Sequence, residues 1–222
     1  MVTRRKTMKR LSRKSSSRRR KNGNFHKIFS KKIQMGGNKG NKKVVSKKTK
    51  KKVTSQSQSK LVLEMLRGLK WPTTERANVL RTGQTKYEGF ALGLVTSWAG
   101  KGSRAGYRQI ISLKTREPKY HKLFRETKKL MKIKDPKFKF TSIQYNKNHK
   151  AARHRDAKNM GISYIVGLGN YTGGELIIFD ENEKNPKKHD IQNKFYSFNG
   201  SIYPHETSPF KGERYTLVFY SI

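Results

Sequence analysis

The segments FKFTSIQYN (138–146), GISYIVGL (161–168), ELIIFD (175–180), HDIQNKFYSF (189–198) and RYTLVFYS (214–221) decide the fold of this chain. Each is short, rich in β-branched and aromatic residues, and bounded by glycine, asparagine or proline, the pattern of a strand between turns. They follow one another too closely for helices to fit between them. A parallel α/β sheet needs such helices, so the sequence predicts a mainly β domain, a sandwich or barrel.

Upstream of these strands the pattern changes. Lys86 to Trp98 alternates Phe90, Leu92 and Leu94 with small or polar neighbours, the period of a half-buried strand. Tyr120, Leu123, Phe124, Thr127, Leu130 and Met131 recur at helical spacing with Lys and Arg between them. That spacing describes an amphipathic helix resting one stripe on the domain, ended by Asp135-Pro136. Leu61 to Leu69 reads as a short helix that stops before Trp71-Pro72. Helices are therefore expected as supports on the N-terminal side of the β domain.

Charge divides the chain. Residues 1–60 hold 23 of the 53 Lys and Arg and none of the 14 Asp and Glu, so they carry +23 and the rest +16. A segment so charged and so poor in large apolar residues cannot bury enough surface to offset the entropy of ordering it. Residues 1–60, ending in the linker-like Ser55-Gln56-Ser57-Gln58-Ser59, are expected to be a disordered basic tail, and 61–222 one compact domain. Cationic tails bind polyanions by counterion release, so nucleic acid is the expected partner of residues 1–60. Arg18-Arg19-Arg20-Lys21 and Lys47-Lys48-Thr49-Lys50-Lys51-Lys52 would equally serve as a nuclear address. No cysteine is present, which removes disulfides, thiolate metal sites and cysteine nucleophiles. The basic N-terminus lacks a secretory h-region, and no apolar run approaches the ~20 residues that cross a bilayer. The expectation is a soluble, intracellular, nuclear or nucleic-acid-associated protein without a membrane partner. Its Lys- and Asn-rich composition would suit a large DNA virus or a protist.

The last third holds the chemistry. His154-Arg155-Asp156 is followed by His205 and then Arg214. Two histidines and a carboxylate are the set that holds non-haem Fe(II) on one face and leaves the other open. On a strand, His154 and Asp156 both face one way with Arg155 turned aside. Arg214 and Thr216 share a face in the same manner. The arginine fork matches a carboxylate, and the hydroxyl can add a third bond. His-x-Asp alone is a weak motif; the bland reading is a surface ion pair with His205 as a turn residue after Pro204.

The run from Gln144-Tyr145-Asn146 through His154-Arg155-Asp156, Gly173-Gly174-Glu175-Leu176 and Phe198-Asn199-Gly200 to His205 and Gly212-Glu213-Arg214-Tyr215-Thr216 resembles the Fe(II)/2-oxoglutarate-dependent dioxygenase superfamily. The resemblance covers roughly residues 87–222 and is strongest from 140 onward. It implies a double-stranded β-helix, or jelly roll, and Fe(II), 2-oxoglutarate and O2 as cofactor and co-substrates. His154, Asp156 and His205 would be the iron ligands, and no catalytic group beyond that metal centre is implied. Arg214 would pair with the distal carboxylate of 2-oxoglutarate, assisted by Thr216 and Tyr145. Motif order and basic context are most similar to the nucleic-acid base hydroxylases related to TET and base-J synthesis enzymes. Prolyl and lysyl hydroxylases share the ligand spacing. AlkB-type demethylases usually carry a second arginine six residues after the first, where this chain has Tyr220.

Three other patterns carry less. His154-Arg155-Asp156 spells a kinase triplet, but position 160 is Met160 instead of asparagine. Gly167, Gly169 and Gly173 echo a dinucleotide fingerprint, yet a strand follows where a helix is required, so they read as a turn. His149 could stand in as a ligand, but between Lys147 and Lys150 it reads as an exposed loop histidine. The function expected is hydroxylation of a substrate, a nucleic-acid base foremost. The alternatives are hydroxylation of a protein side chain, or a non-catalytic nucleic-acid-binding protein on the same scaffold.

Overall fold

Thr54 starts the first helix. In the computed structural model, which describes residues 53–99 and 106–222, its hydroxyl and the Ser57 side chain cap each other's backbone N–H. Helix α1 (Ser55–Arg67) therefore begins inside the stretch expected to be linker, six residues ahead of Leu61. Propensity could not reveal this, since serine and glutamine are ordinary in either state. The cap and a tertiary contact decide it: Gln58 is buried and its amide donates to the Glu126 backbone carbonyl and carboxylate. The expected basic tail otherwise lies outside the described residues.

A two-residue strand β1 (Thr73–Thr74) and a 3-10 turn at Ala77–Val79 lead to the long β2 (Tyr87–Ala99) and its hairpin partner β3 (Gly106–Ile111). The short α2 (Leu113–Arg116) precedes α3 (Pro118–Lys134). Proline at the start of α3 is harmless because its N–H would be unpaired there. Tyr120, Leu123, Thr127, Leu130 and Met131 form its buried stripe. Asp135 ends it, its carboxylate accepting from the N–H groups of Lys137 and Phe138.

The β domain follows as β4 (Ser142–Lys147), β5 (Ser163–Leu168), β6 (Tyr171–Gly173), β7 (Leu176–Ile178), β8 (Lys187–His189), β9 (Tyr196–Phe198), β10 (His205–Thr207), β11 (Phe210–Gly212) and β12 (Tyr215–Tyr220). Two expected strands are shorter or divided. Phe138 and Phe140 stack on each other ahead of β4 instead of joining its ladder. His189 to Phe198 is two strands, because the Asp190 carboxylate accepts from the Gln192 N–H and Asn193 turns at φ +57°.

All named strand pairings are antiparallel. The main sheet runs β1-β2-β4-β12-β5-β9 and the smaller one β10-β7-β8, with β6 and β11 forming a separate pair. His154 joins the edge of the smaller sheet by exchanging two backbone hydrogen bonds with His205. Along the chain, strands thus alternate between sheets: β4 and β5 in the main one, β7 and β8 in the smaller, then β9, β10 and β12 in turn. This is the jelly roll, or double-stranded β-helix.

Strand pleat gives the main sheet two different faces. Ile143, Tyr145, Leu217 and Phe219 pack with Val62 and Leu66 of α1 and Leu123, Leu130 and Met131 of α3 into the larger core. The opposite face carries Gln144, Asn146, Thr216 and Val218 toward a cavity, beside a smaller apolar cluster of Ile165, Leu176, Ile191 and Phe198.

Candidate metal centre

A cavity of about 630 Å³ opens between the inner face of the main sheet and the smaller sheet. His154, Asp156, His205, Arg214 and Thr216, five of the six residues singled out from the sequence, line it.

One ligand-capable atom from each of His154, Asp156 and His205 falls within 4.8 Å of the others. The backbone ladder sets this convergence, because the bridge between His154 and His205 brings their ring centroids to 4.3 Å. Asp156 is tied in by its own N–H, which donates to the Gly200 carbonyl at 2.8 Å. Each imidazole is also oriented. His154 Nδ1 lies 2.7 Å from the Ala152 carbonyl, and His205 Nδ1 lies 3.0 Å from the Tyr203 carbonyl. A carbonyl can only accept, so both Nδ1 atoms carry the proton and both Nε2 lone pairs are free. Those Nε2 atoms face Asp156 at 3.8 and 3.7 Å.

Protonation favours the same role. Burial holds His154 below the ordinary histidine range and His205 down to about 4, so both rings are neutral near pH 7. Burial works to raise Asp156, but the Arg76 guanidinium beside it outweighs that and keeps the carboxylate ionised. The centre thus presents two neutral nitrogens and one anionic oxygen.

Sequence reasoning missed Arg76. It sits between β1 and the 3-10 turn, and its Nη2 donates to Asp156 Oδ1 at 2.6 Å. Its Nε donates to Asn78 at 3.1 Å. No local pattern marks an arginine 80 residues before its partner; only the fold carries that loop to the cavity.

Arg214 leads into β12 and is 2% exposed. Its Nη2 donates to the Gly174 carbonyl at 2.9 Å, and its Nε has no hydrogen-bond partner among the described residues. The guanidinium lies over both the Tyr171 and Phe210 rings, 5.5 and 5.3 Å from their centroids. Gly174 has to be glycine: it turns at φ +73°, and a Cβ there would meet Arg214 Nε at 2.7 Å. Thr216, two residues on, accepts from the Asn146 side chain at 3.0 Å within the same cavity.

Two expectations are corrected. Tyr145 does not face the cavity. The register opposes Tyr145 to Leu217 and Asn146 to Thr216, so Tyr145 turns to the helix side and stacks on Phe90 at 4.8 Å. Asn146 occupies the position expected of it. His149 is not an exposed loop histidine: it is 6% exposed, stacks on Tyr87 at 3.8 Å, and has no hydrogen-bond partner for either ring nitrogen among the described residues. Burial pushes it down to about 4. It lines the cavity but stands outside the group of three. Tyr220, in place of a second arginine, also lines the cavity, and burial pushes its hydroxyl up to about 12.

No protein-family model and no curated protein matches the chain. Solved structures do. One is an oxidoreductase of the 2OG-Fe(II) oxygenase family from Burkholderia pseudomallei, at 15% identity and a TM-score of 0.49, covering 72% of this chain and 76% of that one. A prolyl hydroxylase from Trichoplax adhaerens, solved with a hypoxia inducible factor peptide fragment, matches at 16% identity and a TM-score of 0.44, covering 75% and 77%. NgTET1, solved with 5mC DNA, matches at 14% identity and a TM-score of 0.45, covering 75% and 67%. With scores this low, the functional reading rests on the chain's own residues.

Proposed function

We propose that this chain belongs to the Fe(II)/2-oxoglutarate-dependent dioxygenases and hydroxylates a base in nucleic acid. The observation that carries the reading is the convergence of His154 Nε2, His205 Nε2 and the Asp156 carboxylate beside a cavity that also holds a buried arginine.

The donor set fits the metal, since two imidazoles and one carboxylate on one side suit Fe(II) and leave positions for other ligands. The far residues fit the co-substrate. Arg214 Nε and both nitrogens of His149 are buried polar atoms without hydrogen-bond partners among the described residues. Leaving a buried donor unpaired costs roughly 1–3 kcal/mol, which a bound carboxylate would recover by accepting from Arg214 Nε and from the one N–H of the neutral His149 ring. Bound there, Fe(II) with a 2-oxo acid and O2 would supply the oxidative step that replaces a C–H bond of the substrate by C–OH.

The chain supplies position and surroundings. His154, Asp156 and His205 would hold the metal, with Nδ1 of each imidazole kept on a backbone carbonyl so that the rings cannot rotate. Arg214 would take the distal carboxylate on its open edge while Nη2 stays on Gly174, with the Thr216 hydroxyl alongside. Ile165, Leu176, Phe198 and Val218 give the cavity apolar walls that keep water from the reacting centre.

Charge supports a nucleic-acid substrate: residues 1–60 carry +23 and the rest +16. The same runs of lysine and arginine suit work inside the cell beside nucleic acid, in a nucleus where one exists. The test is succinate release by the full chain given Fe(II) and 2-oxoglutarate in air, with single- and double-stranded DNA, RNA or a basic protein added. Nucleic acid should raise release above the substrate-free rate. Stimulation by the protein alone would replace the base with a side chain. No release by a protein that binds the metal would make the scaffold non-catalytic.

A further inference from the structure

Beyond Gly93, β2 leaves the main sheet and pairs with β3 alone, so Leu94–Ala99 and Gly106–Ile111 form a two-stranded ribbon. Trp98 and Tyr107 are cross-strand partners on it, edge to face with ring centroids 5.0 Å apart. They are 61% and 64% exposed. Single exposed apolar residues are common, but a paired tryptophan and tyrosine held in water mark a contact surface.

Two facts say what the surface contacts. The pair adjoins the cavity, because Lys158 Nζ sits 3.2 Å from the centre of the Tyr107 ring, and both Lys158 and Thr96 line the cavity. Cations attend it as well: Lys158 lies over the Tyr107 ring, and in sequence the stretch between Glu88 and Glu117 holds five Lys and Arg and no carboxylate. Aromatic faces beside lysine and arginine suit a strand of phosphates bearing planar bases. An apolar peptide would gain nothing from the cations, and an acidic one little from the rings. Bases inside a duplex offer no free face to such a pair, so the strand has to be single.

We infer that the β2–β3 ribbon is a platform for single-stranded nucleic acid, on which Trp98 and Tyr107 stack unpaired bases at the lip of the cavity. The inference rests on the oxygenase reading only for what happens to a base beyond that lip.

Trp98 makes the test direct. The chain has two tryptophans, and the other, Trp71, is partly buried against Phe90 and Tyr215 at the edge of the core. Acrylamide quenching of the full chain therefore reports mainly on Trp98. A saturating oligothymidylate should shield that tryptophan; polyglutamate, which can engage only the cations, should not. Trp98→Ala with Tyr107→Ala should weaken oligothymidylate binding about tenfold or more while leaving the slope of log affinity against log salt unchanged. Trp98→Phe should restore most of the affinity.

Unshielded Trp98 at saturation, or unchanged affinity in the double variant, overturns the platform. Shielding by duplex or by peptide in preference to single strands overturns the stated ligand. Shielding that grows with protein concentration alone makes the ribbon a self-contact instead. The measurement needs neither metal nor 2-oxo acid, so its failure leaves the oxygenase reading standing. A chain that shields Trp98 but never consumes 2-oxo acid overturns that reading and not this one.

Discussion

Replacing Arg76 by methionine should destabilise the metal-free protein and make metal binding more stabilising than in the parent. Asp156 has a side chain only 12% exposed, and Arg76 is its one hydrogen-bond donor among the described residues, at 2.6 Å. Breaking a buried pair typically costs 3–5 kcal/mol, because the remaining charge is stranded. Arg76 is itself 42% exposed, so water already screens part of the attraction. The expected loss is therefore about 1–3 kcal/mol. For a folded region of this size that is roughly 3–10 °C in melting temperature. A divalent ion in the centre would compensate Asp156 directly, and without Arg76 it would meet one positive charge fewer. The deficit should then shrink or vanish at saturating metal, since ligands stabilise the state they bind. Thermal melts of parent and variant, chelated and with excess Mn(II) as a redox-quiet stand-in, make the comparison. Equal melting temperatures under chelation, or a deficit of the same size with and without metal, would refute the reasoning.

The remaining predictions concern single groups. His154→Ala, Asp156→Ala and His205→Ala should each abolish Fe(II)-dependent succinate release while circular dichroism stays β-rich; full activity in all three sinks the metal centre. Arg214→Lys keeps charge but loses the fork, so the 2-oxoglutarate half-saturation should rise by the equivalent of about 1.5–3 kcal/mol, read from initial rates. Tyr145→Phe removes a hydroxyl buried on the helix side of the sheet, without a hydrogen-bond partner among the described residues. Half-saturation should not move and stability should hold or rise, whereas a weaker co-substrate response would return Tyr145 to the site. His149 sits near 4 in the fold against 6.5 when exposed, so in that window the unfolded chain binds the extra proton. Its contribution therefore falls as pH drops from 6.5 toward 4, by about 1.4 kcal/mol per unit. Urea titrations of His149→Phe should show a shallower acid slope than the parent, and identical slopes would contradict the buried assignment.

Much of the architecture could be read from local pattern. Short β-branched and aromatic runs between turn residues, such as Ser163–Leu168 and Tyr215–Tyr220, are strands, the alternation of Phe90, Leu92 and Leu94 lies in β2, and the stripe from Tyr120 to Met131 is a helix. Where local chemistry was indifferent, the reading failed. Ser55–Ser59 is helical because Thr54 caps it and Glu126 receives Gln58, neither of which a short window contains.

For the site, the sequence by itself determined the donor types. His154, Asp156, His205, Arg214 and Thr216 can be named because two-residue spacing and residue chemistry are local properties. Tertiary structure decided everything that depends on register, burial and long-range approach. The pairing of β4 with β12 turned Tyr145 into the core and set Asn146 beside Thr216. Burial against Tyr87 made a cavity residue of His149. Folding of the loop before the 3-10 turn brought Arg76 to Asp156. A one-residue change of register reverses every side chain on a strand, and a charge pair 80 residues apart leaves no trace in either neighbourhood, so only the assembled chain could settle them.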